Sequence, residues 1–276
     1  MDLILIFILI GAGLLAGFMS GLLGVGGGFV FAPAMYFVLK LSGVSGETAI
    51  LIAFGTSLAA AFPTIMTTAI GHLKKGNVVR RNAVIMGVCG IVTGFIGGTA
   101  ATYLPVKILE ILFGLLMAVA AVKLITTLPS GNKESMPVPM CCGIGGTAGF
   151  FSGLLGLGGG TILVPLMMFL GKFNIKKAVG TSAAAIVFIT LGGIASYLVN
   201  GFTAGISLDG FLLVGYIDVI MWAIMVASAI PMAILAIKLG GKFSEKKLKI
   251  LFFVLMIIIA LKMLGVFDLI GGIITV

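Results

Sequence analysis

Gly17-Phe18-Met19-Ser20-Gly21-Leu22-Leu23-Gly24-Val25-Gly26-Gly27-Gly28, followed by Pro33, returns 132 residues later as Gly149-Phe150-Phe151-Ser152-Gly153-Leu154-Leu155-Gly156-Leu157-Gly158-Gly159-Gly160, followed by Pro165. A glycine run inside an apolar stretch is a poor helix former, and irregular backbone survives at membrane depth only where protein or a cavity surrounds it. Two runs at matching places predict paired broken helices that meet around a site. The duplication extends further. Ala53-Phe54-Gly55-Thr56-Ser57-Leu58-Ala59-Ala60 recurs as Ala178-Val179-Gly180-Thr181-Ser182-Ala183-Ala184-Ala185, and Leu109-Glu110-Ile111-Leu112-Phe113 as Leu248-Lys249-Ile250-Leu251-Phe252. Because the order of motifs is kept, the chain divides into two related halves, 1–125 and 140–276. The stretch 126–139, rich in Pro, Gly and polar residues, reads as an exposed linker.

With 61% hydrophobic and 9% charged residues and a mean hydropathy of +1.32, a water-soluble domain is excluded. The expectation is an all-α polytopic membrane protein. Apolar segments long enough to span run over 48–70, 82–104, 106–128, 178–199, 211–237 and 248–267, while 3–40 and 140–171 hold the glycine runs. The first ten residues carry Asp2 rather than a basic start, so the N-terminus is expected to be mature, without a cleaved signal. Cys89, Cys141 and Cys142 lack CxxC or His-rich spacing and read as apolar packing residues, so neither a metal site nor a cofactor is expected.

The net charge of +9 does not point to nucleic acid, because the cations sit in short loops and at helix ends. If each half crossed four times, the basic loops of the two halves would face opposite sides. If each glycine segment instead enters and leaves on one side, each half makes an odd number of crossings and the second is inverted. Fourteen of the seventeen cations then lie inside, leaving Lys40, Lys107 and Lys262 outside with six of the eight acids. The positive-inside rule therefore favours an inverted repeat with both termini outside and the linker cytoplasmic. A parallel repeat of eight plain crossings is the alternative.

In each half the glycines allow a tight reversal into a short apolar helix. Its unpaired N–H groups and positive dipole end attract an anion without a buried cation. Gly26, Gly27, Gly28, Gly158, Gly159 and Gly160 are the candidate backbone donors. Thr56, Ser57, Thr181 and Ser182 are the candidate hydroxyl donors, with Ser20 and Ser152 at the preceding turns. A small oxyanion suits such a set. The competing reading has the glycines packing helices and the hydroxyls bonding their own backbone. Two titratable groups stand out as proton-coupling candidates. His72, the only histidine, is read either as a relay or as an interfacial side chain. Asp218, about 10 Å of helical rise into its segment at roughly 1.5 Å per residue, is read either as a coupling acid or as a partner of a nearby polar group. No nucleophile–His–acid set, HExxH or phosphate loop is present, so no catalytic residues are assigned and an enzyme is not expected.

SGLLGxGGG followed by Pro, the later Gly-Thr-Ser, and His72 with Gly76-Asn77-Val78 before a basic pair resemble the sulfite exporter TauE/SafE family over essentially the whole chain. The resemblance implies a secondary transporter in a prokaryotic plasma membrane. It would move small sulfur-containing anions such as sulfite or organosulfonates outward, with H+ as coupling ion. The second half departs from the pattern, having Tyr197, Asn200 and Gly201 and no histidine, so coupling through His72 would be asymmetric. A channel or transporter for another small ion, and a membrane scaffold that moves nothing, are the competing functions.

Overall fold

The computed structural model describes residues 3–126, 135–208, 210–239 and 245–265. The first half forms α1 (Leu3–Leu23), α2 (Gly28–Leu41), α3 (Gly46–Lys74), α4 (Arg80–Ala101) and α5 (Val106–Thr126). The second forms α6 (Val138–Leu155), α7 (Gly160–Phe169), α8 (Ile175–Thr203), α9 (Val219–Leu239) and α10 (Glu245–Met263). The chain is all-α and polytopic: α1, α3, α4, α6, α8 and α9 are long and apolar enough to cross a membrane. On α4, Val84, Val88, Val92 and Ile96 repeat every fourth residue and remain exposed, the stripe expected of a lipid-facing helix side. Most of the expected linker, 127–134, lies outside the described residues, as do Asp2, Asp209 and Asp268.

One segment differs from the sequence expectation. The apolar stretch 211–237 is not helical throughout, because β1 (Leu213–Val214) and β2 (Ile217–Asp218) form a small antiparallel hairpin before α9. Two-residue ladders on either side of Gly215-Tyr216 take up the first part of the run. Asp218 therefore lies at the start of α9 and not within a helical span, so the depth expected for it is corrected.

The halves are interleaved. The fourth helix of each half packs on the first helix of the other, α4 on α6 and α9 on α1. It also packs on the other half's third helix, α4 on α8 and α9 on α3. Helices α3 and α8 pack together, and so do α5 and α10. Exchanging the halves leaves this pattern of neighbours unchanged. Small residues make the close crossings possible. A Cβ at Gly13, Gly17 or Gly21 of α1 would strike Met225, Ala229 or Ala233 of α9, and one at Gly145, Gly149 or Gly153 of α6 would strike Met86, Gly90 or Gly94 of α4. The early glycines of the repeated motif thus pack helices, and only the later ones turn the chain.

Candidate functional site

The two reversals lie back to back at the centre. Gly27 and Gly159 precede α2 and α7 with φ of +77° and +82°, a left-handed conformation that costs an L side chain about 1–2 kcal/mol. No side chain caps either helix. The following glycines face the opposite hairpin: a Cβ on Gly28 would meet the Leu157 backbone, and one on Gly160 the Val25 backbone. Val25 and Leu157 hold matching places in the repeat, so each hairpin seals the other. The two glycine runs singled out in the sequence thus lie against each other.

Each residue of the two Gly-Thr-Ser triplets has its own task, and each reaches into the other half. The glycines, Gly55 and Gly180, admit the backbone leading into the other half's fourth helix, at Tyr216 and Asn77 respectively. The threonines accept the last N–H before that helix: Asp218 N–H donates to Thr56 Oγ1 at 2.9 Å, and Val79 N–H to Thr181 Oγ1 at 3.0 Å. The serines donate to hairpin carbonyls. The Ser57 hydroxyl lies 2.8 Å from Gly156 O and 3.2 Å from Gly28 O, while Ser182 lies 3.3 Å from Gly24 O and 2.9 Å from Val179 O of its own helix. All four hydroxyl side chains are fully buried. In this conformation the serine protons hold the hairpins, and the two threonines act as acceptors.

The turns that precede the glycines are less alike. Ser20 Oγ is 3.2 Å from Thr68 Oγ1, whereas the equally buried Ser152 Oγ has no hydrogen-bond partner. Thr161 Oγ1, in the first turn of α7, also lacks one. Its place in the first half is taken by Phe29, so the second hairpin alone carries two unpaired buried hydroxyls. Thr161 was missed from the sequence because its match is apolar, although a hydroxyl directly after the glycine run was a visible signal.

His72 occupies the repeat position of Tyr197. The Tyr197 hydroxyl donates to Gly153 O at 3.0 Å. His72 is 8% exposed and lies beside the backbone of Gly21, the match of Gly153, but neither ring nitrogen makes a well-formed hydrogen bond. Thr68 and Thr64 stand one and two turns before it on α3, where Thr68 Oγ1 meets Ser20 Oγ of α1, and they are matched in the second half by Gly193 and Ile189. Cys89, Cys141 and Cys142 are free thiols, and the Asn82 side-chain amide donates to Cys141 Sγ at 3.1 Å.

Asp218 caps α9: its Oδ1 accepts the Met221 N–H at 2.7 Å, in the geometry of an N-cap. Burial pushes its carboxyl up from the ordinary 3.8, against the pull of the Met221 and Ile220 N–H groups. A folded pKa above the unfolded one makes the folded state bind more protons, so stability falls as pH rises from the ordinary value through the folded one. Asp218→Asn keeps an acceptor for Met221 and is expected to flatten that fall above pH 3.8. The check is the denaturation midpoint of both proteins across a pH series. Identical slopes would remove Asp218 as the titrating group.

Two interleaved halves, joined at paired glycine hairpins and surrounded by long apolar helices, place the chain in the class of multi-pass membrane transporters. The profile of the sulfite exporter TauE/SafE family matches residues 9–263, and the chain belongs to that family. It is 29% identical over 255 residues to a probable membrane transporter protein of Methanocaldococcus jannaschii, covering 90% of this chain and 91% of the relative. It is 33% identical over 204 residues to one of Haemophilus influenzae, covering 72% and 75% of the two chains. Over 214 residues it is 27% identical to one of Bacillus subtilis, with 70% and 78% covered.

Proposed function

We propose that this protein exports small sulfur-containing oxyanions, such as sulfite or an organosulfonate, across the plasma membrane in exchange for protons. The observation that carries the reading is the pair of sealed glycine hairpins, each held by a serine of the opposite half. Two uncapped helix N-termini close together form an anion-attracting centre. At the second hairpin, Ser152 and Thr161 add hydroxyls whose protons are not spent elsewhere. The cycle parts the hairpins on one side at a time, freeing the Ser57 and Ser182 hydroxyls and the backbone N–H groups of Gly26–Gly28 and Gly158–Gly160 toward the anion. Because the helix pairings are unchanged on exchanging the halves, the same motion run in the other half opens the other side. The halves, 1–125 and 140–276, are inverted with the linker in the cytoplasm and both termini outside, as the placement of the cations favours. His72 carries the coupling proton on one half only.

The test is flux in proteoliposomes of sulfite and sulfoacetate, with and without a pH gradient, for the parent and for Gly27→Ala, Gly159→Ala and Thr56→Ala. Saturable flux that rises with the gradient, and falls at least about tenfold in the correctly folded variants, is the expected result. A second reading is favoured by the glycines of α1 and α6, which serve helix packing: a scaffold that moves no solute. It predicts no flux of either anion in a folded, reconstituted parent, which would overturn the exporter.

A further inference from the structure

Away from the hairpins, α2, α5 and α10 enclose a cleft of about 350 Å³ lined by Pro33, Tyr36, Phe37, Lys40, Glu110 and Lys262. Tyr36 is buried, and its hydroxyl donates to Glu110 Oε1 at 2.8 Å. Lys107 Nζ lies 3.7 Å from Glu110 Oε2. At the rim, Lys40 Nζ stands 6.0 Å from the centroid of the Tyr36 ring, and Lys262 Nζ stands 5.7 Å from that of Phe37. These three lysines are the ones that the charge pattern separates from all the other cations. Among the described residues, Lys40 and Lys262 line the cleft with one carboxylate, Glu110, which Lys107 pairs from outside the lining.

The repeat supplies a comparison. Pro165, Phe169 and Lys123 hold the places of Pro33, Phe37 and Lys262, and they line a second cleft of about 410 Å³. There Lys123 Nζ is 5.1 Å from the centroid of the Phe169 ring. In sequence, Met168 and Lys249 stand at the places of Tyr36 and Glu110. The Lys–Phe pair is thus common to both clefts, but the tyrosine–glutamate pair belongs to the first.

We propose that the first cleft is a second oxyanion site, in which Lys40 and Lys262 hold a sulfite-, sulfonate- or phosphate-type group. Glu110 sets its strength. An incoming anion competes with the Glu110 carboxylate for the lysine charge, so the site binds weakly enough to release its occupant. Tyr36 and Lys107 hold Glu110 to one side of the cleft while the anion is bound. The phosphate of an anionic lipid offers the same chemistry, with Phe37 and Leu41 beside its acyl chain. The site is separate from the central one, since no residue of the glycine runs or of the Gly-Thr-Ser triplets lines it.

The test is binding of radiolabelled sulfite to the full-length protein in phosphatidylcholine nanodiscs at constant ionic strength. For this site, Lys40→Gln and Lys262→Gln are each expected to raise the half-saturating concentration about threefold, and together about tenfold, whereas Glu110→Gln lowers it about threefold. The opposite sign at Glu110 is a signature that a merely structural role would not give. Discs containing phosphatidylglycerol identify the source: if the lipid shifts the parent to the half-saturation of the double variant, a headgroup competes for the site, and if it does not, the free anion is the occupant. Sulfite binding unchanged in the double variant in both lipids, or weakened by Glu110→Gln, would overturn the proposal. Flux separates this site from the central one: a parent that binds sulfite through Lys40 and Lys262 but does not transport it refutes the exporter and leaves the cleft standing.

Discussion

Gly160→Ala is expected to abolish transport, and to do so more severely than Gly159→Ala one residue earlier. At Gly160 the new methyl would meet the Cα, carbonyl carbon and carbonyl oxygen of Val25, all of them backbone in the opposite hairpin. A side chain rotates out of the way, but a sealed turn does not, and a core packed at crystal-like density has no slack to absorb the shift. The cost is about 3 kcal/mol, the upper part of the range for overpacking. At Gly159 the methyl would find Ala148 O and Ser152 Cβ at 3.5 Å, which is ordinary contact. Only the φ of +82° is then strained, at about 1–2 kcal/mol. Gly28→Ala should behave like Gly160→Ala, because its methyl would lie 2.5 Å from Leu157 C and O. Denaturation midpoints together with flux per folded molecule give the ranking. If Gly159→Ala proves the worse of the two, the contact between hairpins is not the tight point of the structure.

His72→Tyr is expected to leave a folded, more stable protein whose flux no longer follows the pH gradient. The substitution copies the second half into the first. Tyr197 shows that a tyrosine fits this position and reaches the carbonyl of the matching glycine, at 3.0 Å. The variant places a hydrogen-bonding hydroxyl where neither histidine nitrogen makes a well-formed bond, worth about 1 kcal/mol. A phenol with a pKa near 10 does not exchange protons in the physiological range, so the stimulation of flux by a gradient should drop about tenfold or more. The reverse variant, Tyr197→His, loses the bond to Gly153 and should be less stable by about 1–2 kcal/mol without altering coupling. Gradient-driven flux preserved in His72→Tyr would remove His72 from the proton path.

The hairpins were legible in the sequence because glycine runs within apolar segments have few physical explanations, and repetition removed most of those. The Gly-Thr-Ser triplets were legible as important, but their partners were not. Ser57 meets Gly156 from 99 residues away and Ser182 meets Gly24 from 158, and no local pattern encodes a crossing between halves. The start of α9 is not legible because Phe211-Leu212-Leu213-Val214 is as apolar as a helix of lipid depth, and hydropathy does not distinguish a buried hairpin from a buried helical turn. Lys40, Lys107 and Lys262 could be grouped by charge from the sequence. The meeting of Lys40 and Lys262 at one cleft depends on the folding back of α10 onto α2 and α5, which the sequence leaves open.

The exchange of partners between halves also governs how the protein is made. Helix α1 finds its main neighbour in α9, which leaves the ribosome long after it. Until then its glycine face at Gly13, Gly17 and Gly21 is open to lipid or to the insertion machinery. The first half therefore cannot reach its final packing during its own synthesis. A chain stopped before residue 219 leaves α1 with α2 and α3 but without its main neighbour. The order of synthesis thus makes the final packing of α1 wait for α9.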